Sequence, residues 1–245
     1  MWDNYRLLRF FANLLILAAF AMLASAAWLW VTQSGLFPVR SVHIRSKLTH
    51  VTQEQLRFIA EHELRGSFLT VNLNNTRGAF EKLPWVRKVL VQRVWPDRLD
   101  ISVEEHIAVA RWGEEGLVNS YGEWFDAASS SQTLPLLKGP PESHAEMTAA
   151  LTAFRRTLKP LTLAPKSITL SERRAWQVFL DNGIWLDLGR QDALPRLSKF
   201  ANSWQNDLSR LPFRIEYVDL RYPNGLAVKM PDYKPSKVAK LKPAA

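Results

Sequence analysis

The chain has 245 residues, no cysteine, and 32 Lys and Arg against 23 Asp and Glu, a formal net charge of +9 at pH 7. The missing cysteines exclude a disulfide scaffold, a thiolate metal site and a cysteine nucleophile. Part of the positive excess lies in a tail, 232–245, where Lys234, Lys237, Lys240 and Lys242 sit among Pro, Ala and Ser; such a composition is expected to stay disordered.

No charged side chain lies between Arg9 and Arg40, and Phe10 to Val31 is almost entirely apolar. As a helix this stretch is about 33 Å long at about 1.5 Å per residue, matching a hydrocarbon core of about 30 Å. Asn13, Ser25 and Thr32 are tolerated because a helix satisfies its own backbone and small polar groups bond back to it. Trp28 and Trp30 stand near the far end, where amphipathic rings favour the interface. Arg6 and Arg9 flank the near end, so the positive-inside rule puts residues 1–9 in the cytoplasm, a transmembrane helix over 10–32, and the rest outside. Ala24-Ser25-Ala26 has the small residues of a signal cleavage site, but the apolar run exceeds an h-region of roughly 7–15 residues, which favours an uncleaved anchor. Beside a membrane the positive charge suits anionic lipid, wall polymer or an acidic partner segment better than nucleic acid.

After the anchor, Val39 to Arg45 alternates as a strand does. Thr52-Gln53-Glu54-Gln55 has the form of a capping box, and Leu56, Ile59, Ala60 and Leu64 follow at helical spacing, with Gly66 suited to the helix end. A second short helix is expected after Asn74, stopped by Leu83-Pro84. Val86 to Val94 reads as a strand, Trp95-Pro96-Asp97-Arg98 as a turn, and Leu99, Ile101 and Val103 alternate with Asp100, Ser102 and Glu104 in a half-buried strand. The order is β-α-α-β-β, and a three-stranded sheet with two helices on one face would bury every apolar stripe. Trp85 and Trp95 are expected in the packed core.

The second block continues with a strand over Ile107 to Trp112 and short strands near Leu117 and Trp124. Ala128 to Gln132 is a polar loop. Met147, Ala150, Leu151, Phe154 and Leu158 share a helical face, closed by Lys159-Pro160. Trp176 to Leu180 and Ile184 to Leu188 form a hairpin through Asp181-Asn182-Gly183. Leu194, Leu197, Phe200, Ala201, Trp204, Leu208 and Leu211 make a long amphipathic helix, with Asp192 as its N-cap candidate and Pro212 after it. Ile215 to Tyr222 and Leu226 to Met230 pair around Pro223-Asn224-Gly225. The block is α+β, a mostly antiparallel β-domain with covering helices.

Chemistry is sparse. On a helix, the neighbours in Glu61-His62-Glu63 do not face one another. In Glu104-Glu105-His106 successive side chains of a strand end point to opposite faces. No H-E-x-x-H, P-loop or G-x-S-x-G occurs. Asp181 is explained by a turn and Asp187 by the polar face of a strand. An enzyme is therefore not expected, and neither is a cofactor or a metal.

Leu83-Pro84-Trp85-Val86 and Trp95-Pro96-Asp97-Arg98-Leu99, placed in the β-α-α-β-β order, resemble a POTRA domain over 37–106. Arg173-Arg174-Ala175-Trp176-Gln177, Asn182-Gly183-Ile184, Leu188-Gly189-Arg190 and Tyr217-Val218-Asp219-Leu220-Arg221-Tyr222 with Asn224-Gly225 resemble the β-domain, 107–231, of the FtsQ/DivIB family of bacterial cell-division proteins. The resemblance covers essentially the whole chain. It implies a non-catalytic divisome scaffold in the inner membrane, single-pass and type II, with its bulk in the periplasm and concentrated at the septum. It would bind FtsB within the FtsB–FtsL pair and help control septal peptidoglycan synthesis. The positions carried over for that contact are Tyr217, Asp219, Arg221, Tyr222, Asn224, Gly225, Leu226 and Val228. The sequence departs from the motif at Pro223 and around Lys229-Met230. Arg173 and Arg174 are expected to anchor an acidic partner segment. The POTRA domain and the helix would offer further surfaces to other division proteins. The alternative is a POTRA-type component of polypeptide secretion or outer-membrane assembly; such factors carry several POTRA repeats or a barrel, and one unit is found here.

Overall fold

In the computed structural model, residues 5–33, 38–39, 41–44, 48–64, 67–114, 116–128, 133–223 and 225–233 are described. Helix α1 spans Tyr5–Gln33. Its segment Leu8–Trp30 is long and apolar enough to cross a membrane, and none of it is buried. The chain divides into two compact units, residues 1–106 and 107–245.

The first unit continues with β1 (Ser41–Ile44), α2 (Gln53–Glu63), α3 (Leu73–Phe80), β2 (Val86–Val94) and β3 (Arg98–Glu105). The sheet order is β1-β3-β2, with β1 parallel and β2 antiparallel to the central β3. Thr52 caps α2 as its sequence requires: the hydroxyl accepts from Gln55 N at 3.2 Å, and the Gln55 amide oxygen accepts from Thr52 N at 3.1 Å. Helix α3 starts earlier than expected, because Asn72 caps it by accepting from the backbone of Asn74 and Asn75. Gly66, the expected end of α2, lies outside the described residues, and the helix stops at Glu63. Leu56 and Ala60 of α2 and Phe80 of α3 close over Val86, Val89, Ile101 and Val103. Phe68, Val71 and Leu99 form a second cluster with Val39 and Leu64 against it. His62 bonds back to Phe58 O through Nδ1 at 2.8 Å, and Glu61 pairs with Arg57 at 2.7 Å, so Glu61-His62-Glu63 is a surface face of the helix.

One expectation is corrected. Trp85 is half-buried under the stacked ring of His50, with centroids 3.6 Å apart. Trp95, however, is 69% exposed, with its ring T-shaped to that of Phe68 at 5.2 Å. It stands one residue past the end of β2, in the turn, where the pleat no longer directs a side chain inward.

The second unit contains β4 (Ala108–Trp112), β5 (Leu117–Asn119), β6 (Trp124–Phe125), β7 (Leu136–Lys138), α4 (His144–Leu158), β8 (Pro165–Leu170), β9 (Trp176–Leu180), β10 (Trp185–Gly189), α5 (Ala193–Asn206), β11 (Tyr217–Asp219) and β12 (Ala227–Lys229). Nine strands form one sheet in the order β12-β11-β10-β9-β8-β7-β4-β5-β6. The pairs β4–β7, β7–β8 and β10–β11 are parallel and the others antiparallel. Strands β7 and β8 are additions to the sequence expectation. Met147, Leu151, Phe154 and Leu158 of α4 and Leu197 and Phe200 of α5 pack on Ile168, Val178, Leu186, Leu188 and Val218 from one face of the sheet. Burying a Phe or Leu side chain of this kind contributes about 1.5–3 kcal/mol. Asp192 does occupy the N-cap of α5, but at φ +57° and with no side-chain capping bond. Of the expected polar loop, 129–132 lies outside the described residues, as does the tail from 234 on.

Glu105 ties the first unit's loop to its sheet. Its carboxylate accepts from the backbone N–H of Thr49 at 2.9 Å, His50 at 3.1 Å and Val51 at 2.8 Å, with the His50 ring 3.6 Å away. Burial by itself would raise this carboxyl's pKa; the three N–H groups and His50 together outweigh it and hold the pKa below the ordinary glutamate value. A depressed folded-state pKa stabilises the fold above the unfolded value and loses that contribution as pH falls through the folded one. Urea unfolding of the domain should therefore show stability declining below about pH 4.3. Glu105→Gln should remove this part of the pH dependence and lower the neutral-pH stability by about 1.5–3 kcal/mol, the usual contribution of hydrogen bonds to a charged group. An unchanged pH profile would place the acid-sensitive group elsewhere.

Candidate partner-binding edge and arginine cleft

The sheet alternation sets the site. Leu186, Leu188 and Val218 point to the helices, so Trp185, Asp187, Tyr217 and Asp219 point to the opposite face. In the parallel register of β10 and β11, Trp185 stands beside Tyr217 and Asp187 beside Asp219. Both aspartates are buried, with side chains only about a tenth exposed.

Each carboxylate has its own set of donors. Asp187 accepts from the Tyr217 hydroxyl at 3.0 Å and from Gly189 N at 3.0 Å. Asp219 accepts from Arg221 Nε at 2.9 Å, Nη2 at 2.7 Å and the Arg221 backbone N–H at 3.0 Å. The Arg221 Nε also lies 3.8 Å from Asp187 Oδ2. The Arg221 fork holds the Asp219 carboxyl below its usual pKa against the opposing effect of burial. Burial first, and then the bond to Asp187, push the Tyr217 phenol up to about 12. Arg221 itself is held charged by the two carboxylates. Only two of its five side-chain N–H donors go to Asp219, and the side chain is 58% exposed.

A cleft of about 600 Å³ opens beside this pair, lined by Arg173, Arg190, Arg196 and Arg221, with Gln177 and Asp187. Four guanidinium groups line it with one carboxylate, and Arg221 among them is already paired with Asp219, so the wall carries an excess of positive charge. Gly189 permits the close approach. Its φ is +70°, and a Cβ there would stand 2.6 Å from Arg196 Nη1 and 3.1 Å from Arg221 Cγ. Arg196 is oriented by Leu188 O, at 2.6 Å.

Among the described residues, β12 is the terminal strand of the sheet and pairs with β11 alone. Leu226, Val228 and Met230 pack against the core, while Ala227 and Lys229 are exposed. Tyr222 is exposed at the turn, where Pro223, Gly225, Leu226 and Ala227 line a shallow hollow of about 410 Å³. Lys199 of α5 holds that turn through Pro223 O at 3.0 Å.

Of the residues singled out in the sequence, Tyr217, Asp219, Arg221, Tyr222, Gly225, Leu226 and Val228 thus gather at this end of the sheet, and Arg173 lines the cleft. Asn224 lies outside the described residues. Arg174 points to another neighbour: it has φ +62° and is ion-paired with Glu146 of α4. Asp187, Arg190 and Arg196 join the site without having been singled out for it. Arg196 did carry a signal, since a cation in the first turns of a helix opposes the helix dipole and so suggests another purpose.

Residues 37–106 match the family described as POTRA domain, FtsQ-type, and residues 110–221 match the one described as cell division protein FtsQ/DivIB, C-terminal. The chain is 41% identical to the cell division protein FtsQ of Nitrosospira multiformis over 94% of its own length and 99% of the relative's. It is 37% identical to that of Burkholderia pseudomallei, over 94% of both chains. With the Neisseria gonorrhoeae protein it shares 32% identity over 97% of this chain and 98% of the relative. With its apolar N-terminal helix, its β-α-α-β-β unit and this mixed sheet, the chain belongs to the FtsQ/DivIB family of cell-division proteins.

Proposed function

We propose that the chain is a non-catalytic scaffold of the division machinery that takes a strand of FtsB, within the FtsB–FtsL pair, onto β12. Its recognition of that pair helps control septal peptidoglycan synthesis. Helix α1 anchors it in the inner membrane, with Arg6 and Arg9 on the cytoplasmic side, the bulk of the chain in the periplasm and the protein concentrated at the septum. The observation that carries this reading is that β12 ends the sheet among the described residues, two strands from β10, whose end lines the arginine cleft. Main-chain bonds from an added strand supply affinity, and side chains at alternate positions supply specificity. The cleft then takes a carboxylate from the acidic segment beside that strand, chiefly through Arg173 and Arg190, which are exposed. The action is recognition without turnover.

Leu226 packs against the core, so a charge there would unseat the strand as well as repel a partner. Ala227 is exposed and gives the cleaner test. In calorimetric titration with the extracytoplasmic segment of FtsB, Ala227→Glu should weaken binding by at least about tenfold, or about 1.4 kcal/mol, with unfolding unchanged. Retained affinity would move the docking site away from β12.

The two adjacent arginines should behave differently. Arg173→Glu should lower affinity and flatten its dependence on salt, because Arg173 faces the cleft. Arg174→Glu should change affinity less, since Arg174 is committed to Glu146. Equal effects would show that the cleft is not what reads the partner's charge.

A further inference from the structure

We propose that the β2–β3 turn of the first unit, led by Trp95, rests in the headgroup layer of the bilayer that α1 crosses. The inference rests on the reading of α1 as a membrane anchor.

The register places this turn where the chain arrives from the helix. Strand β1 starts at Ser41, which pairs with Arg98, and Arg98 pairs in turn with Val94. The first strand and the turn over 95–97 therefore share one end of the sheet. Val39, just ahead of β1, packs there with Phe68 and Leu99. Residues 34–40 separate α1 from β1, and even fully extended they reach at most about 25 Å. That tether keeps this end of the domain, rather than the other, next to the bilayer.

The two ends of the sheet differ in the way this placement requires. At the helix-proximal end Trp95 is 69% exposed and Pro96 is exposed beside it. Arg93, near the end of β2, donates to Phe68 O at 2.8 Å and Val71 O at 2.7 Å and so ties the α2–α3 loop to the strand beside the turn. Arg98 and Asp100 are paired with each other. The far end, where Val86 pairs with Glu105, instead exposes Glu81, Lys82, Lys88 and Glu104. About nine residues of strand separate the ends, roughly 30 Å. Charges are suited to water, while an exposed indole, apolar in body and polar at one N–H, is suited to the headgroup region.

The test uses the full chain in phosphatidylethanolamine–phosphatidylglycerol vesicles. Because the chain has no cysteine, single labels can be placed without background. A nitrobenzoxadiazole probe goes on Gln92→Cys near the tip, on Lys82→Cys at the far end, or on Ala19→Cys within α1. The Gln92 probe should be quenched by headgroup-nitroxide lipid and the Lys82 probe only by aqueous iodide. Trp95→Ala should abolish the lipid quenching at position 92, and Trp95→Phe should keep part of it. Equal quenching at 92 and 82, with the Ala19 probe quenched by acyl-chain nitroxide, would overturn the inference and leave the anchor standing. An unquenched Ala19 probe would overturn both.

Discussion

Asp187 and Asp219 stand side by side across β10 and β11, each nearly out of water. Two neighbouring carboxylates with little solvent repel each other, and unless donors compensate them one takes a proton. Here the compensating groups come from two stretches of chain, one on either side of α5. Gly189 N and the Tyr217 hydroxyl serve Asp187, and the Arg221 fork covers Asp219 while reaching toward Asp187. These bonds allow β11 to lie parallel to β10. Among the described residues β12 pairs with β11 alone, so this end of the sheet depends on a charge balance solved one strand inside it.

That dependence divides the arginines by task. Removing the cation beside a nearly buried carboxylate leaves that charge without its partner. Arg221 neutralises two carboxylates, so truncating it would damage the sheet before it revealed anything about recognition. Arg173 and Arg190, on the cleft wall, are exposed and have no ion pair to a buried carboxylate among the described residues. Arg174, next in sequence to Arg173, is turned by its left-handed backbone toward α4 and ends on Glu146. Adjacent residues of identical type thus serve different interactions, and backbone conformation decides which.

Much of this fold is legible in the sequence where local rules dominate. The capping box at Thr52, the alternation of Leu99, Ile101 and Val103, and the helical stripe of Met147, Leu151, Phe154 and Leu158 all declare themselves within a few residues. Elements whose cause is tertiary do not. Leu136–Lys138 is too short to show a period, and in β8 the adjacent Lys166 and Ser167 break the two-residue alternation of a strand. The parallel pairing of β10 with β11, across α5, is set by how the helix packs and leaves no local mark. Tyr217, Asp219 and Arg221 are visible as a motif, yet their bonds to Asp187 follow only from that pairing. Trp95 shows the same limit, because indole size argues for burial while its place in the turn denies it.

Edge strands invite unwanted pairing, and this one is managed by brevity and by what bounds it. Strand β12 is three residues long, carries Lys229 on its open face and is followed by Pro231. A strand so short offers few backbone bonds to an arbitrary partner, too few to hold a chain that brings nothing else. A partner that also places a carboxylate among Arg173 and Arg190 gains electrostatic steering and a fixed register in addition to those bonds. Neither element is strong alone, and requiring both is what would make the edge selective.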